Sequence, residues 1–140
     1  KGLGAPIGSL LLSSAENIKK ARRIRKVFGG AMRQSGYLAA AGIYALDHHI
    51  NRLKEDHIRA KQIAEILSEM PQLESIEPVD TNIIIFSLSR HFEAKSFLKQ
   101  LDSIGVKALG FGGNSIRMVT HLKITDDIIN MLSDRIKSLH

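Results

Sequence analysis

Lys1 is followed by Gly2, Leu3 and Gly4. A lysine amine that must come close to a planar partner needs neighbours without side chains, since a Cβ beside it would block the approach. The same residues also describe an ordinary surface lysine in a flexible loop, so the motif permits nucleophilic chemistry without requiring it. Two arginines offer a second kind of chemistry. Arg33 sits in Met32-Arg33-Gln34 and Arg117 in Ile116-Arg117-Met118, and a planar guanidinium can donate two parallel hydrogen bonds to a phosphate or a carboxylate. In a strand the side chain of Arg117 points away from those of its two neighbours. A structural ion pair explains that position equally well from sequence alone.

The run Lys19 to Lys26, KKARRIRK, holds six basic residues in eight. An exposed helix face with solvated charges is the first reading and a nucleic-acid patch the second. The histidines offer less. His57 falls on an apolar stripe, where a packing role is favoured, and His121 can fix a turn. With His48 and His49 they give no ligand spacing, so no metal is expected. Gly110 to Asn114 lacks the lysine and the Ser/Thr of a P-loop and reads as a tight turn.

These residues need elements to position them. Gly8 to Leu12 is a short apolar run bounded by serines, which predicts a buried strand. Ser14 should cap a helix running to about Val27, stopped by Gly29-Gly30, and Phe28 to Gln34 should form a loop. From Ser35, the small residues Ala39 to Gly42 suggest close packing. Ile43, Leu46, Ile50, Leu53, His57, Ala60, Ala64 and Leu67 then draw a stripe along one long helix, or two broken near His49, ending before Pro71. Asn82 to Leu88 reads as a central strand covered on both faces. Ala94 to Leu101 predicts a helix ended by Gly105, followed by strands at Val106 to Leu109 and Ser115 to Val119. Thr125 should cap a last helix burying Ile128, Leu132, Ile136 and Leu139. The sum is an α/β chain whose second half is a small antiparallel sheet with helices on one side. The expected division lies between residues 1–75 and 76–140, near Pro71 to Thr81.

The chain has 140 residues, of which 44% are hydrophobic, and no cysteine. That length supports a packed core, and the lack of cysteine excludes disulfides, thiolate metal sites and cysteine nucleophiles. No apolar run suits a signal peptide or a membrane span, so a cytoplasmic location without membrane partners is expected. The net charge of +6 comes largely from Lys19 to Lys26 and is a local matter of one helix. The opening Lys1-Gly2-Leu3-Gly4, without methionine, reads like the middle of a larger protein.

Four segments, Lys1 to Gly8, Arg22 to Lys26, Gly29 to Gly36 and Ala39 to Leu46, follow one another in an order and spacing that resembles the low-specificity L-threonine aldolases, a family of pyridoxal-phosphate enzymes. Ile116 to Leu122, IRMVTHL, is similar to that family's carboxylate-binding strand. The resemblance covers essentially the whole chain. It implies the C-terminal part of a fold-type I enzyme: the end of a large cofactor-binding domain with a connecting helix, then a small domain. It also implies that Lys1 carries pyridoxal phosphate covalently, and that Arg33 and Lys26 contribute to a phosphate or active site across a subunit interface. Arg117 would clamp the α-carboxylate of a β-hydroxy-α-amino acid. The implied reaction cleaves threonine to glycine and acetaldehyde in a homodimer or homotetramer that binds no nucleic acid. Two departures stand out, Ala31 where a third glycine is common and Lys123 where an aspartate is usual. The family's ring-stacking residue, pyridinium-pairing aspartate and most of its phosphate cradle lie outside these residues, so the chain alone should be inactive. Aminotransfer on the same fold is the alternative reaction.

Overall fold

The computed structural model describes residues 2–139. They form two compact units, one of Leu3–Ile50, the other of Gly2 with Asn51 onward. The division comes at Ile50, ahead of the break expected near Pro71 to Thr81, because the helix after it belongs to the core of the second unit.

The first unit holds α1 (Ala15–Val27) and α2 (Gly36–His48). Ser14 caps α1 as expected, its Oγ accepting the Asn17 N–H at 3.4 Å. At the other end Gly29 adopts φ 74°. The Gly29 N–H donates to the Lys26 carbonyl at 3.1 Å and the Gly30 N–H to the Arg25 carbonyl at 2.8 Å, the paired bonds of a Schellman stop. Gly8 to Leu12 forms no strand and stands exposed. A lone extended segment gains nothing without a neighbour to take its N–H and C=O groups, and the described residues of this unit hold no other strand. The small-residue helix packs less closely than expected: Ala45 is the one buried residue of α2, and Ile43, Leu46 and Ile50 of the anticipated stripe are exposed. The stripe breaks after His48, matching the two-helix alternative.

The second unit contains α3 (Leu53–Ser68), β1 (Leu73–Ile76), β2 (Ile83–Leu88), α4 (Ala94–Ser103), β3 (Leu109–Gly112), β4 (Ser115–Val119) and α5 (Asp126–Lys137). The strands make one antiparallel sheet in the order β1-β2-β4-β3. Ile84, Phe86 and Leu88 of β2 and Ile116 and Met118 of β4 point to one face. There they pack with Ala60, Ile63 and Leu67 of α3, Phe97 and Leu101 of α4, and Ile129, Leu132 and Ile136 of α5. Each of the larger side chains among them contributes roughly 1.5–3 kcal/mol by leaving water. Phe86 and Phe97 meet edge to face, with ring centroids 6.3 Å apart.

Several expectations shift. β2 is interior but covered on one face only, its exposure alternating residue by residue, so a continuous apolar run does not mean two-sided burial here. β1 had no counterpart in the sequence reading. The third strand starts at Leu109, not Val106, because Val106 donates its N–H back to Leu101 at 2.9 Å to close α4. Gly110 to Gly112, read as turn, pairs with β4. Thr125 occupies the N-cap of α5 without a side-chain bond, and Ile129 takes the buried place expected of Ile128. Arg59 ties α3 to α5 through Asp126 at 2.9 Å, a hydrogen bond that raises the guanidinium's pKa further above its ordinary value.

Asn114 joins the hairpin to α4. Its Nδ2 donates to the carbonyls of Leu88, Ser89 and Phe92 at 3.0, 3.2 and 2.7 Å. Its Oδ1 accepts the first amide of α4, that of Ala94, at 2.8 Å. Asn114→Ala is expected to lower the unfolding free energy by about 1–3 kcal/mol, since it strands backbone groups that the amide now satisfies. Urea denaturation should show a lower midpoint at unchanged slope.

Candidate active-site residues

Lys1, the expected nucleophile, lies outside the described residues. Of the other three candidates, two belong to the first unit. Lys26 is in the last turn of α1 and exposed, its carbonyl held in the helix stop. Arg33 is exposed in the following loop, beside Gln34, whose φ of 52° makes it the one non-glycine residue with a left-handed backbone among those described. Such a conformation costs a residue with a Cβ about 1–2 kcal/mol. The turn at Gln34 also sets the direction in which α2 leaves. Neither Lys26 nor Arg33 pairs with a carboxylate among the described residues. Both keep the charge that an anionic group such as a phosphate needs. Ser35 precedes α2 without a side-chain cap, so first-turn amides lie next in the chain to Arg33, and such amides attract anions.

Gly30 is needed for this loop. A Cβ there would come 2.8 Å from Arg25 Cγ and 3.1 Å from the Arg25 carbonyl oxygen.

Arg117 lies in the second unit, in register with Ile85 on one side and Leu109 on the other. Because Ile116 and Met118 take the core face, Arg117 stands on the open face of the sheet, half-buried. Its guanidinium carbon sits 5.8 Å from the centre of the Phe111 ring, a cation–π contact that orients the group without neutralising it. No carboxylate among the described residues pairs with it. The described residues thus supply no ion pair for Arg117, an oriented cation on the open face of the sheet. Ser87 and Ser115 share a hydrogen bond of 2.9 Å on the same face.

The cavities lie elsewhere. A cavity of about 710 Å³ in the first unit is lined by residues such as Leu3, Pro6, Leu10, Leu38 and Ile43. None of its lining side chains is titratable. One of about 300 Å³ in the second unit opens between Ile63, Met118 and α5, on the side of the sheet opposite Arg117. Two histidines serve local structure. His49 donates Nδ1–H to the Leu3 carbonyl, and His121 Nδ1 accepts the Lys123 N–H at 3.3 Å. No group of three metal-ligating side chains occurs among the described residues.

Sequence reasoning missed two features here. Phe111 was taken for turn filler, although its two-residue offset from Leu109 carries the alternation by which Arg117 finds a ring beside it. The left-handed Gln34 had no signal, since it is neither glycine nor asparagine.

Residues 1–91 match the family described as Beta-eliminating lyase. A probable low-specificity L-threonine aldolase 2 of Arabidopsis thaliana is 38% identical over 144 residues, covering 100% of this chain and 41% of that protein. The low specificity L-threonine aldolase of Escherichia coli is 40% identical over 133 residues, 89% of this chain and 36% of that one. The chain thus spans about two fifths of the length of these curated relatives. Among solved structures, an N-acetylornithine aminotransferase from Stenotrophomonas maltophilia aligns with a TM-score of 0.56 at 18% identity, over 72% of this chain and 29% of that one. A cystine C-S lyase bound to cysteine persulfide aligns with a TM-score of 0.56 at 15% identity, over 73% and 28%. At such identities the likeness speaks for the fold alone.

Gly30→Ala is expected to open the stop of α1. Crowding of the added Cβ against Arg25 should cost about 1 kcal/mol. Amide exchange at Phe28, Gly29 and Gly30 should then quicken roughly fivefold, with α2 unchanged.

Proposed function

Since the chain belongs to the beta-eliminating lyase family, we propose that it is the C-terminal portion of a low-specificity L-threonine aldolase, comprising the end of the large domain with its connecting helix and the small domain. The fold is α/β, that of the fold-type I pyridoxal-phosphate enzymes, and among its solved neighbours is a lyase with glycine covalently linked to its PLP cofactor. The observation that carries the proposal is the identity of 38–40% to threonine aldolases across nearly the whole chain. The uncommitted guanidinium of Arg117 supports it from the structure.

The residues present fit the cofactor in their chemistry. A phosphate needs cations not already neutralised, and Lys26 and Arg33 have no carboxylate partner among the described residues. In this reading Lys1 supplies the amine that holds the cofactor's carbonyl carbon, and Arg33 with Lys26 the counter-charge for its phosphate. When bound, pyridoxal phosphate supplies an electron sink for the pair left at Cα. Arg117 holds the α-carboxylate of the substrate with two parallel hydrogen bonds, which sets the rotation of the amino acid and so selects which bond at Cα breaks. The β-hydroxyl of threonine gives up its proton, the Cα–Cβ bond breaks, and Cβ leaves with the oxygen as acetaldehyde. Cα then takes a proton and leaves as glycine. No residue of this chain is assigned as the base that receives the hydroxyl proton, and the chain alone is expected to be inactive.

The proposal extends to assembly and location. Leu10, Leu12, Phe28 and Tyr37 of the first unit are 79%, 88%, 84% and 83% exposed. The rest of the subunit and a second copy would cover them in a cytoplasmic homodimer or homotetramer. No described helix is long and apolar enough to cross a membrane. The basic face of α1 is assigned to phosphate and solvent rather than to nucleic acid.

Full-length protein incubated with threonine and pyridoxal phosphate should release acetaldehyde and glycine. Keto acid without aldehyde would place the enzyme with the aminotransferases instead. Arg117→Ala should raise KM for threonine at least about 30-fold, the size expected from roughly 2 kcal/mol or more of lost carboxylate binding. Arg117→Lys should recover part of that loss.

A further inference from the structure

Asp56 is fully buried, and it is the one charged residue so enclosed among those described. A carboxylate in such a place is costly unless paired and hydrogen-bonded on both oxygens. Arg52, one helical turn earlier, supplies both bonds, from Nη2 to Oδ1 at 2.6 Å and from Nη1 to Oδ2 at 3.2 Å. A solvent-exposed pair would support the helix equally well at this spacing, so helix formation does not account for the burial. The remaining contacts of the pair do.

Arg52 Nη1 also reaches the Gly2 carbonyl at 3.5 Å. Leu53 packs against the same glycine, its Cδ2 3.5 Å from where a Cβ on Gly2 would be. On the other side, the backbone carbonyl of Asp56 accepts the hydroxyl of Thr120 at 2.7 Å, and Thr120 is itself fully buried. Thr120 follows β4 three residues after Arg117. It is pinned to Asn82, its N–H donating to the Asn82 carbonyl at 2.9 Å and its carbonyl accepting Asn82 Nδ2 at 2.8 Å. The ion pair thus holds Arg52 toward Gly2, while the backbone of the same helix residue, Asp56, anchors Thr120.

We propose that Asp56, acting through Arg52, is a positioning residue that holds the backbone of Gly2, the residue after Lys1, against α3 for cofactor attachment. The inference rests on the assignment of Lys1 above. Neither Arg52 nor Asp56 touches substrate or cofactor. Their effect passes through the Gly2 carbonyl.

The test uses the full-length enzyme and two variants. The double variant Arg52→Met/Asp56→Leu removes both charges together and leaves apolar groups of similar volume, which commonly preserves stability. Arg52→Lys keeps a charge beside Asp56 but lacks the fork that reaches carboxylate and carbonyl at once. With pyridoxal phosphate stripped, both apoproteins are expected to melt close to the wild type. Titrated back with pyridoxal phosphate, the double variant should bind it about tenfold more weakly and the lysine variant by a smaller factor. The pH titration of the bound cofactor's visible band should shift in both. Affinities within about twofold of wild type in both variants, or losses that only track lower apoprotein melting, would overturn the positioning role. Wild-type protein that binds no pyridoxal phosphate would overturn the Lys1 assignment itself.

Discussion

The apolar layer between the four-stranded sheet and α3, α4 and α5 is the constraint on which the second unit rests. Ile84, Phe86, Leu88, Ile116 and Met118 must all face the helices. Strand periodicity then forces Ile85, Ser87, Ser115 and Arg117 onto the opposite face. Arg117 is thus placed by the burial of its neighbours and not by any partner of its own. Slipping β4 by one residue would send the guanidinium into the core, at a cost the fold could not bear. The ring of Phe111 then selects among the orientations left open to it.

Polar side chains lock this layer at its ends. Asn114 bonds three carbonyls and one amide where β4 begins. Thr120 joins the other end to α3 through the carbonyl of Asp56. Both ends of the strand that carries Arg117 are therefore fixed by buried or half-buried hydrogen bonds. The first unit has no comparable layer. Among its described residues Ala45 alone is buried, and its order comes from local devices: the Ser14 cap, the glycine stop of α1, and the bond from His49 to the Leu3 carbonyl.

What could be read in the sequence follows the range of the forces involved. Local signals were legible: the cap and stop of α1, the end of α4 at Gly105, the whole of β4 and the place of α5. Elements defined by pairing were not. β1, Leu73-Glu74-Ser75-Ile76, is short, polar and bulged, so no alternation announces it. β3 hides in a glycine-rich stretch that becomes a strand only through its register with β4. Gly8 to Leu12 has the composition of a strand but no partner in its unit. The charged candidates Lys26, Arg33 and Arg117 were legible by residue type and by family resemblance. The burial of Asp56 was not, since an Arg and an Asp four residues apart look the same in sequence whether they face water or the core.

The account proposed above has a lysine that carries the cofactor, with Arg117 on the open sheet face to hold the substrate's carboxylate. The most direct measurement traps the covalent bond between the full-length enzyme and pyridoxal phosphate by borohydride reduction, then maps the pyridoxyl group by peptide mass spectrometry. The account predicts that the label sits on Lys1, and that saturating threonine added before reduction removes it. A pyridoxyl group found on another lysine, with Lys1 unmodified, would contradict it.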